Sequence, residues 1–394
     1  MSVSIFRLPP ELIDLVIREN RERISTLRSC ALVCRAFRRS SQGCIFASVD
    51  LGPYLSPVPK FHDLLRHSPH LCGHVRKLTI SDIERGEWDA WYPGLAEILD
   101  LLDNVTTFAL SFLPLVQWRD LPANLQAAIC ALCQRSSLVS LRLIRAGTLN
   151  SLAEFSQLVA SPALKDLWLK NLEIPVPGQD EIPLTNTIAL TNFEFELKSS
   201  TLAIVTPWLV DGASLSHVRS LSFAWTRENV SYLHALTHGA AANLEKVTLE
   251  SHNATITMDF PPLRLGGLQQ KLQKIRVTLN VDVNHSDRLP RELAVLLESC
   301  SASLTTISVA LYLSTRNPNL PVVEMDWSRV AEIVTVARFP ALQNLSLVLF
   351  PFHSMAKTVK EKLLADMHSG LSDLNARGIL KCSSWDPAAN PGII

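Results

Sequence analysis

Leu138-Val-Ser-Leu-Arg-Leu143 and, 26 residues on, Leu164-Lys-Asp-Leu-Trp-Leu169 share one arrangement: an apolar residue, then apolar residues at +3 and +5. The same trio returns upstream as Val75-Leu78-Ile80 and Val105-Phe108-Leu110. Downstream it continues as Leu190-Phe193-Phe195, Val218-Leu221-Phe223, Leu244-Val247-Leu249, Leu272-Ile275-Val277, Leu304-Ile307-Val309 and Leu342-Leu345-Leu347. First positions lie 26 to 38 residues apart. The last two members of each trio alternate with a different residue, the period of a short strand with one buried face.

Helical patterns fill the intervals, among them Leu95–Leu102, Leu125–Cys133, Leu149–Val159, Leu202–Val210, Leu289–Leu297 and Val330–Ala337. Strand, turn and helix at a period near 28 predict an α/β, leucine-rich-repeat-like solenoid, parallel strands on the concave side and helices on the convex side. No unit of that length buries its own apolar face, so neighbours must stack. A doubly wound α/β domain also alternates strand and helix, but it does not require the same internal spacing in every strand. No copy carries a consistent asparagine or cysteine ladder; Ser81, Ser111, Lys170 and Glu250 stand just after the strands. A last helix near Lys357–Asn375 and a strand at Gly378–Cys382 read as a closing cap.

Composition agrees with a large packed core. Of 394 residues 47% are hydrophobic and 19% charged, which excludes a disordered chain. The 37 basic and 37 acidic residues cancel, so no net charge points to nucleic acid or an acidic membrane. Leucine is in marked excess while glycines number 14, which favours a leucine-built scaffold over glycine-loop nucleotide chemistry. No apolar run reaches the roughly 18 residues of a membrane span, and Met1–Arg7 lacks the features of a secretory signal. The expectation is an intracellular chain, cytoplasmic or nuclear, whose eight cysteines are reduced thiols.

The first 50 residues follow a different rule. Leu8, Leu12, Leu15 and Val16 recur at helical spacing behind Pro9 and Pro10; Ser25 or Thr26 is placed to cap a second helix, and Val33, Phe37, Ile45 and Phe46 give a third apolar face. Gly52, Pro53, Pro57 and Pro59 mark a joint. The domains expected are therefore a helical module at 1–50, a linker helix at 51–73 and the solenoid with its cap at 74–394.

The stretches Leu8-Pro-Pro-Glu-Leu-Ile-Asp-Leu-Val-Ile17, Thr26-Leu27, Cys30-Ala-Leu-Val-Cys-Arg-Ala-Phe37 and Ile45-Phe46 resemble an F-box, in the form found in F-box proteins of mushroom-forming fungi. The resemblance covers residues 5–50 and tapers through about residue 81. Phe37 stands where the family usually has tryptophan, and Arg23-Ile24 where an acidic residue precedes the Thr-Leu pair. The resemblance implies docking onto the adaptor Skp1, and through it a cullin-RING ubiquitin ligase, with the repeats holding a substrate protein. By match, Leu8, Pro9, Leu12, Ile13 and Ile17 would form one contact face and Leu32, Val33, Cys34 and Phe37 the other. The competing reading is a non-catalytic protein-interaction scaffold with a degenerate F-box that does not bind Skp1; a further alternative for the three helices is that they merely cap the solenoid's N-terminal edge.

Strand parity selects the side chains of the open sheet face. Arg142, Asp166, Trp168, Lys170, Glu194 and Glu196, then Lys274 and Arg276, are the candidates for substrate contact. Trp168 among mixed charges has the composition of an interface anchor. Two groupings invite other chemistry. His62, His67, His70, Cys72 and His74 crowd together but fit no zinc spacing, and Cys130-Ala-Leu-Cys133 sits inside a helical run rather than at a helix start. Nucleophile elbow, phosphate loop, dinucleotide fingerprint and zinc-protease motifs are missing. The chain is read as a non-enzyme with no cofactor or metal.

Overall fold

The computed structural model describes residues 9–52, 57–83, 88–112, 116–175, 188–211, 214–226, 228–251, 271–282, 289–314, 326–351 and 357–384. The chain forms two compact units, Met1–Ile188 and Ala189–Ile394.

The first unit opens on three short helices: α1 (Pro10–Glu19), α2 (Ile24–Ala31) and α3 (Arg35–Phe46). Proline at the first position of α1 is tolerated because that N–H has no intrahelical partner. Ile13, Ile17 and Leu27 form the core of the trio, and Cys30, Phe37, Cys44 and Ile45 pack against it. Neither Ser25 nor Thr26 caps α2. The helix starts two or three residues earlier than that expectation, behind Arg23, with no side-chain cap.

Strand and helix then alternate: β1 (Ser48–Leu51), α4 (Pro57–His67), β2 (Lys77–Ile83), α5 (Trp88–Leu101), β3 (Thr107–Phe112), α6 (Ala123–Cys133), β4 (Ser140–Thr148), α7 (Leu152–Leu158) and β5 (Asp166–Glu173). All four neighbouring pairs from β1 to β5 are parallel. This corrects two boundaries. The sheet begins at Ser48, inside the segment read as purely helical. The helix read as a linker in 51–73 is the first inter-strand helix: α4 packs on α5, and His62 Nε2 lies 2.7 Å from Glu97 Oε2. The signal was present, since Phe46, Val49 and Leu51 repeat the +3, +5 spacing.

The second unit contains β6 (Asn192–Glu196), α8 (Ser199–Asp211), β7 (Ser220–Trp225), α9 (Val230–Ala240), β8 (Lys246–Ser251), β9 (Lys274–Asp282), α10 (Leu289–Glu298), β10 (Thr306–Ser314), α11 (Ser328–Ile333), β11 (Asn344–Pro351), α12 (Lys357–Gly370), α13 (Ser372–Ala376) and β12 (Leu380–Ser384). Strands β6 to β12 are likewise parallel and in chain order. The predicted closing strand is β12.

Within each unit every strand pairs with its sequence neighbours and the order never reverses. A doubly wound sheet reverses at a switch point. The register aligns the trios into columns: Leu78, Phe108, Leu141 and Leu167 in the first unit, and Phe193, Leu221, Val247, Ile275, Ile307 and Leu345 in the second. All thirty trio positions are buried.

A backbone device repeats with the strands. The carbonyl just before a strand accepts two successive N–H groups at the equivalent place in the next repeat. Ala47, Arg76, Thr106 and Val139 do so in the first unit and Thr191, Arg219, Glu245, Gln273 and Thr305 in the second, all at 2.8–3.2 Å. Side chains brace the same turns, each with different chemistry. Ser161 Oγ lies 2.7 Å from the Leu138 carbonyl and 2.9 Å from that of Arg135, Ser303 Oγ donates to the Leu272 carbonyl at 2.8 Å, and Asn243 Nδ2 to that of Ser216 at 2.6 Å. One-off polar braces of this kind stand where a regular repeat would keep an asparagine ladder.

Candidate interaction surfaces

Helix α1 carries two apolar stripes. At 100° per residue, Ile13 and Ile17 share one direction, and Leu12, Leu15 and Val16 cluster on another. The structure points the first pair into the helical core, Ile17 with no exposed area. Ile13 and Ile17 are therefore corrected as contact residues: their side chains fill the trio's own core. Leu12, Leu15 and Val16 face outward, and Leu32 (82% exposed) and Val33 (56%) stand out on the turn between α2 and α3. Pro9 is exposed, Cys34 half-buried, and Phe37 half-buried, packed against the core. Leu8 lies outside the described residues. Leu15 and Val16, which the contact faces expected from the sequence left out, are exposed beside Leu12, a stripe visible as i, i+3 and i+4 spacing.

On the sheet face of the first unit, Arg142 pairs in register with Trp168, and its guanidinium carbon lies 4.6 Å from the ring centroid. Ala109 is the opposite neighbour of Arg142, too small to compete for the guanidinium. Arg142 is exposed and Trp168 half-buried, so the pair is a stacked cation–π platform rather than a freely standing ring. Asp166 stands opposite Ser140 and Lys170 opposite Ile144, above and below that row. Beyond it the register slips between Ile144 and Gly147. Arg145 (φ 56°) and Asn171 (φ 50°) adopt left-handed backbone there, as does Gly147 at φ 68°. A Cβ on Gly147 would stand 2.8 Å from Gln117 Cγ, so glycine is required on both counts.

In the second unit Glu194, Ser222, Thr248 and Arg276 occupy one row across β6 to β9. Glu194 and Arg276 are three strand spacings apart, about 14 Å, and the structure does not bring them together. Lys274 adjoins Lys246 and Arg276 sits beside them, giving β8–β9 a basic edge, while Glu194 and Glu196 make β6 acidic. Parity fails at Thr248, and in the first unit at Ser140, both of which are buried.

The histidine-rich stretch is spread over two elements. His62 and His67 are on α4, where His67 Nδ1 lies 2.7 Å from the Asp63 carbonyl, and His70, Cys72 and His74 are in a 3-10 turn, Pro69–His74. Among the described residues no group of three His, Cys, Asp or Glu side chains is placed to hold a metal ion. Cys130 and Cys133 are buried in α6, where burial pushes the Cys130 thiol up to about 11 and that of Cys133 further still. Neither is a thiolate at neutral pH.

The chain matches no model of a known protein family, and no curated protein is significantly similar to it. Among the described residues no helix is long and apolar enough to cross a membrane.

Proposed function

We propose that this chain recruits a substrate protein to a Skp1–cullin ubiquitin ligase, its helical module docking the adaptor and its strand faces holding the substrate. The observation that carries the reading is the outward apolar surface of the first three helices. Leu12, Leu15 and Val16 on α1, with Leu32 and Val33 after α2, are all exposed although the trio already has a complete core of its own. Burying one such side chain is worth roughly 1.5–3 kcal/mol, so five of them form a strong incentive for a partner. The F-box resemblance of residues 5–50 supplies the identity of that partner. The chain would position its substrate and leave ubiquitin transfer to other subunits.

One observation favours the competing scaffold reading: Ile13, Ile17 and much of Phe37 are taken up by the module's own packing. Pulldown of purified Skp1 by the full chain decides between them. Wild type should bind, and a Val16→Asp, Leu32→Asp variant with an unchanged circular dichroism spectrum should not. A folded wild type that fails to bind leaves the scaffold.

A further inference from the structure

We infer that a cleft between α1, α3 and the entrance to β2 binds the phosphate groups of a small phosphorylated ligand. The cleft encloses about 900 Å3, within the range of small-molecule sites. Four arginines line it from three stretches of chain: Arg18 at the end of α1 and Arg21 in the following turn, Arg39 on α3, and Arg76 just before β2. Two carboxylates, Asp14 and Glu22, share the lining, which leaves two positive charges uncompensated. Asp14 already accepts the hydroxyl of Ser40. Within the described residues none of the four arginines forms an ion pair; Arg76 donates at 3.1 Å to the Asn104 carbonyl.

Gathering like charges around a concavity costs free energy unless an anion occupies it. The field is felt inside: burial first, then His70, Arg39 and Arg76, hold His74 on the cleft wall below its ordinary pKa. Ile13, Ala36 and Ala47 supply an apolar wall, which strengthens charge interactions there. Guanidinium forks match phosphate oxygens two at a time, and arginine rather than lysine is the residue used at all four positions.

The site is independent of adaptor docking. On α1, Asp14 and Arg18 lie near 200–240° of helical angle, about 120° or more from the mean direction of the Leu12, Leu15 and Val16 stripe. Substitutions in the cleft therefore leave the outward apolar surface intact, and either reading can fail alone.

The test is titration calorimetry of the full chain with inorganic pyrophosphate at low and at physiological salt. Binding at or below about 1 mM is expected, weakened by added salt. An Arg18→Gln, Arg39→Gln variant should lose about tenfold or more in affinity, and Arg76→Gln, on a different element, should lose affinity by itself. His74 followed by NMR should titrate at higher pH when pyrophosphate is bound. No heat and no His74 shift with wild type would overturn the proposal. So would unchanged affinity in folded variants of both kinds.

Discussion

Arg142 lies over the ring of Trp168, guanidinium carbon to centroid 4.6 Å, because the β4–β5 register sets the two residues side by side. The stack costs little to maintain, since parallel strands already hold the two backbones at one spacing. It also keeps a large aromatic surface half-open while occupying the guanidinium face, leaving its edge donors for a partner. A double-mutant cycle with Arg142→Ala and Trp168→Leu should give a coupling of about 0.5–1 kcal/mol by urea denaturation. Additive effects would show that the stack contributes nothing to the folded state. Trp168→Ala should weaken capture of a substrate protein without affecting adaptor binding.

The two stripes of α1 should respond oppositely to substitution. Ile17→Ala removes a fully buried side chain from a small core and should cost about 2–5 kcal/mol, read as a lower midpoint in thermal unfolding of the first unit. Leu32→Asp, at an exposed turn, should change stability by no more than about 0.5 kcal/mol while abolishing adaptor binding. Equal thermal shifts for both would contradict the assignment of inward and outward faces.

Much of the repeat array was legible because its code is local. Each trio needs only the next trio for burial, so a spacing read in one strand holds in all, from Val75 to Leu347. What escaped the sequence has physical causes. Strand β1 was hidden because Val49 and Leu51 follow directly on the Phe46 end of a helix, with no turn residues to separate them. Ile13 and Ile17 could not be told from Leu12 and Val16 by periodicity, since both pairs repeat at i+4 and only tertiary packing decides which faces in. The arginine cleft was invisible for a third reason. Its charges come from three elements and meet only once β2 is placed beside α3, and a chain-wide charge balance of zero conceals it.

Gly147 should prove the least replaceable residue of the bulge beside Lys170. Its φ of 68° and the nearness of Gln117 both penalise a side chain. Gly147→Ala should cost about 1–3 kcal/mol, whereas Gly378→Ala, at a similar φ with nothing within 4 Å, should cost about 1–2 kcal/mol from backbone strain alone. Urea midpoints of the two variants measure the difference, and a cost at Gly147 no larger than that at Gly378 would remove the crowding argument.

Ser161 tests whether scattered polar braces replace a regular ladder. Its buried hydroxyl serves the carbonyls of Arg135 and Leu138 and accepts from the Ala163 N–H at 3.3 Å. Ser161→Ala takes this partner from the Leu138 carbonyl and the Ala163 N–H in a closed turn, while the Arg135 carbonyl keeps the Leu138 N–H at 3.1 Å, and should cost about 1–3 kcal/mol. Ser137→Ala, whose hydroxyl reaches the Asp103 carbonyl at 3.0 Å in a more exposed turn, should cost less, because water can take its place. Hydrogen exchange should show increased opening at the start of β5 in the first variant and little change in the second.

The buried thiols of α6 give the fold an alkaline limit. An unperturbed thiol titrates near 9.0, whereas burial, with a smaller contribution from Glu154, raises Cys130 to about 11; Cys133 is raised further, again mainly by burial. As pH rises past 9 the unfolded chain loses these protons first and the folded chain retains them. The unfolded state then binds fewer protons, so stability falls with increasing pH. The contribution is fully present below pH 9 and is lost as pH climbs through the folded-state values. Urea midpoints measured from pH 8 to pH 11 should therefore decline more steeply for wild type than for a Cys130→Ala, Cys133→Ala variant. The variant starts lower because it loses buried volume, so the slope and not the intercept is the readout. At pH 8 iodoacetamide should leave both thiols unmodified in the native chain and modify them in urea. Parallel slopes, or rapid native alkylation, would mean that α6 opens to solvent and does not hold its cysteines in the core.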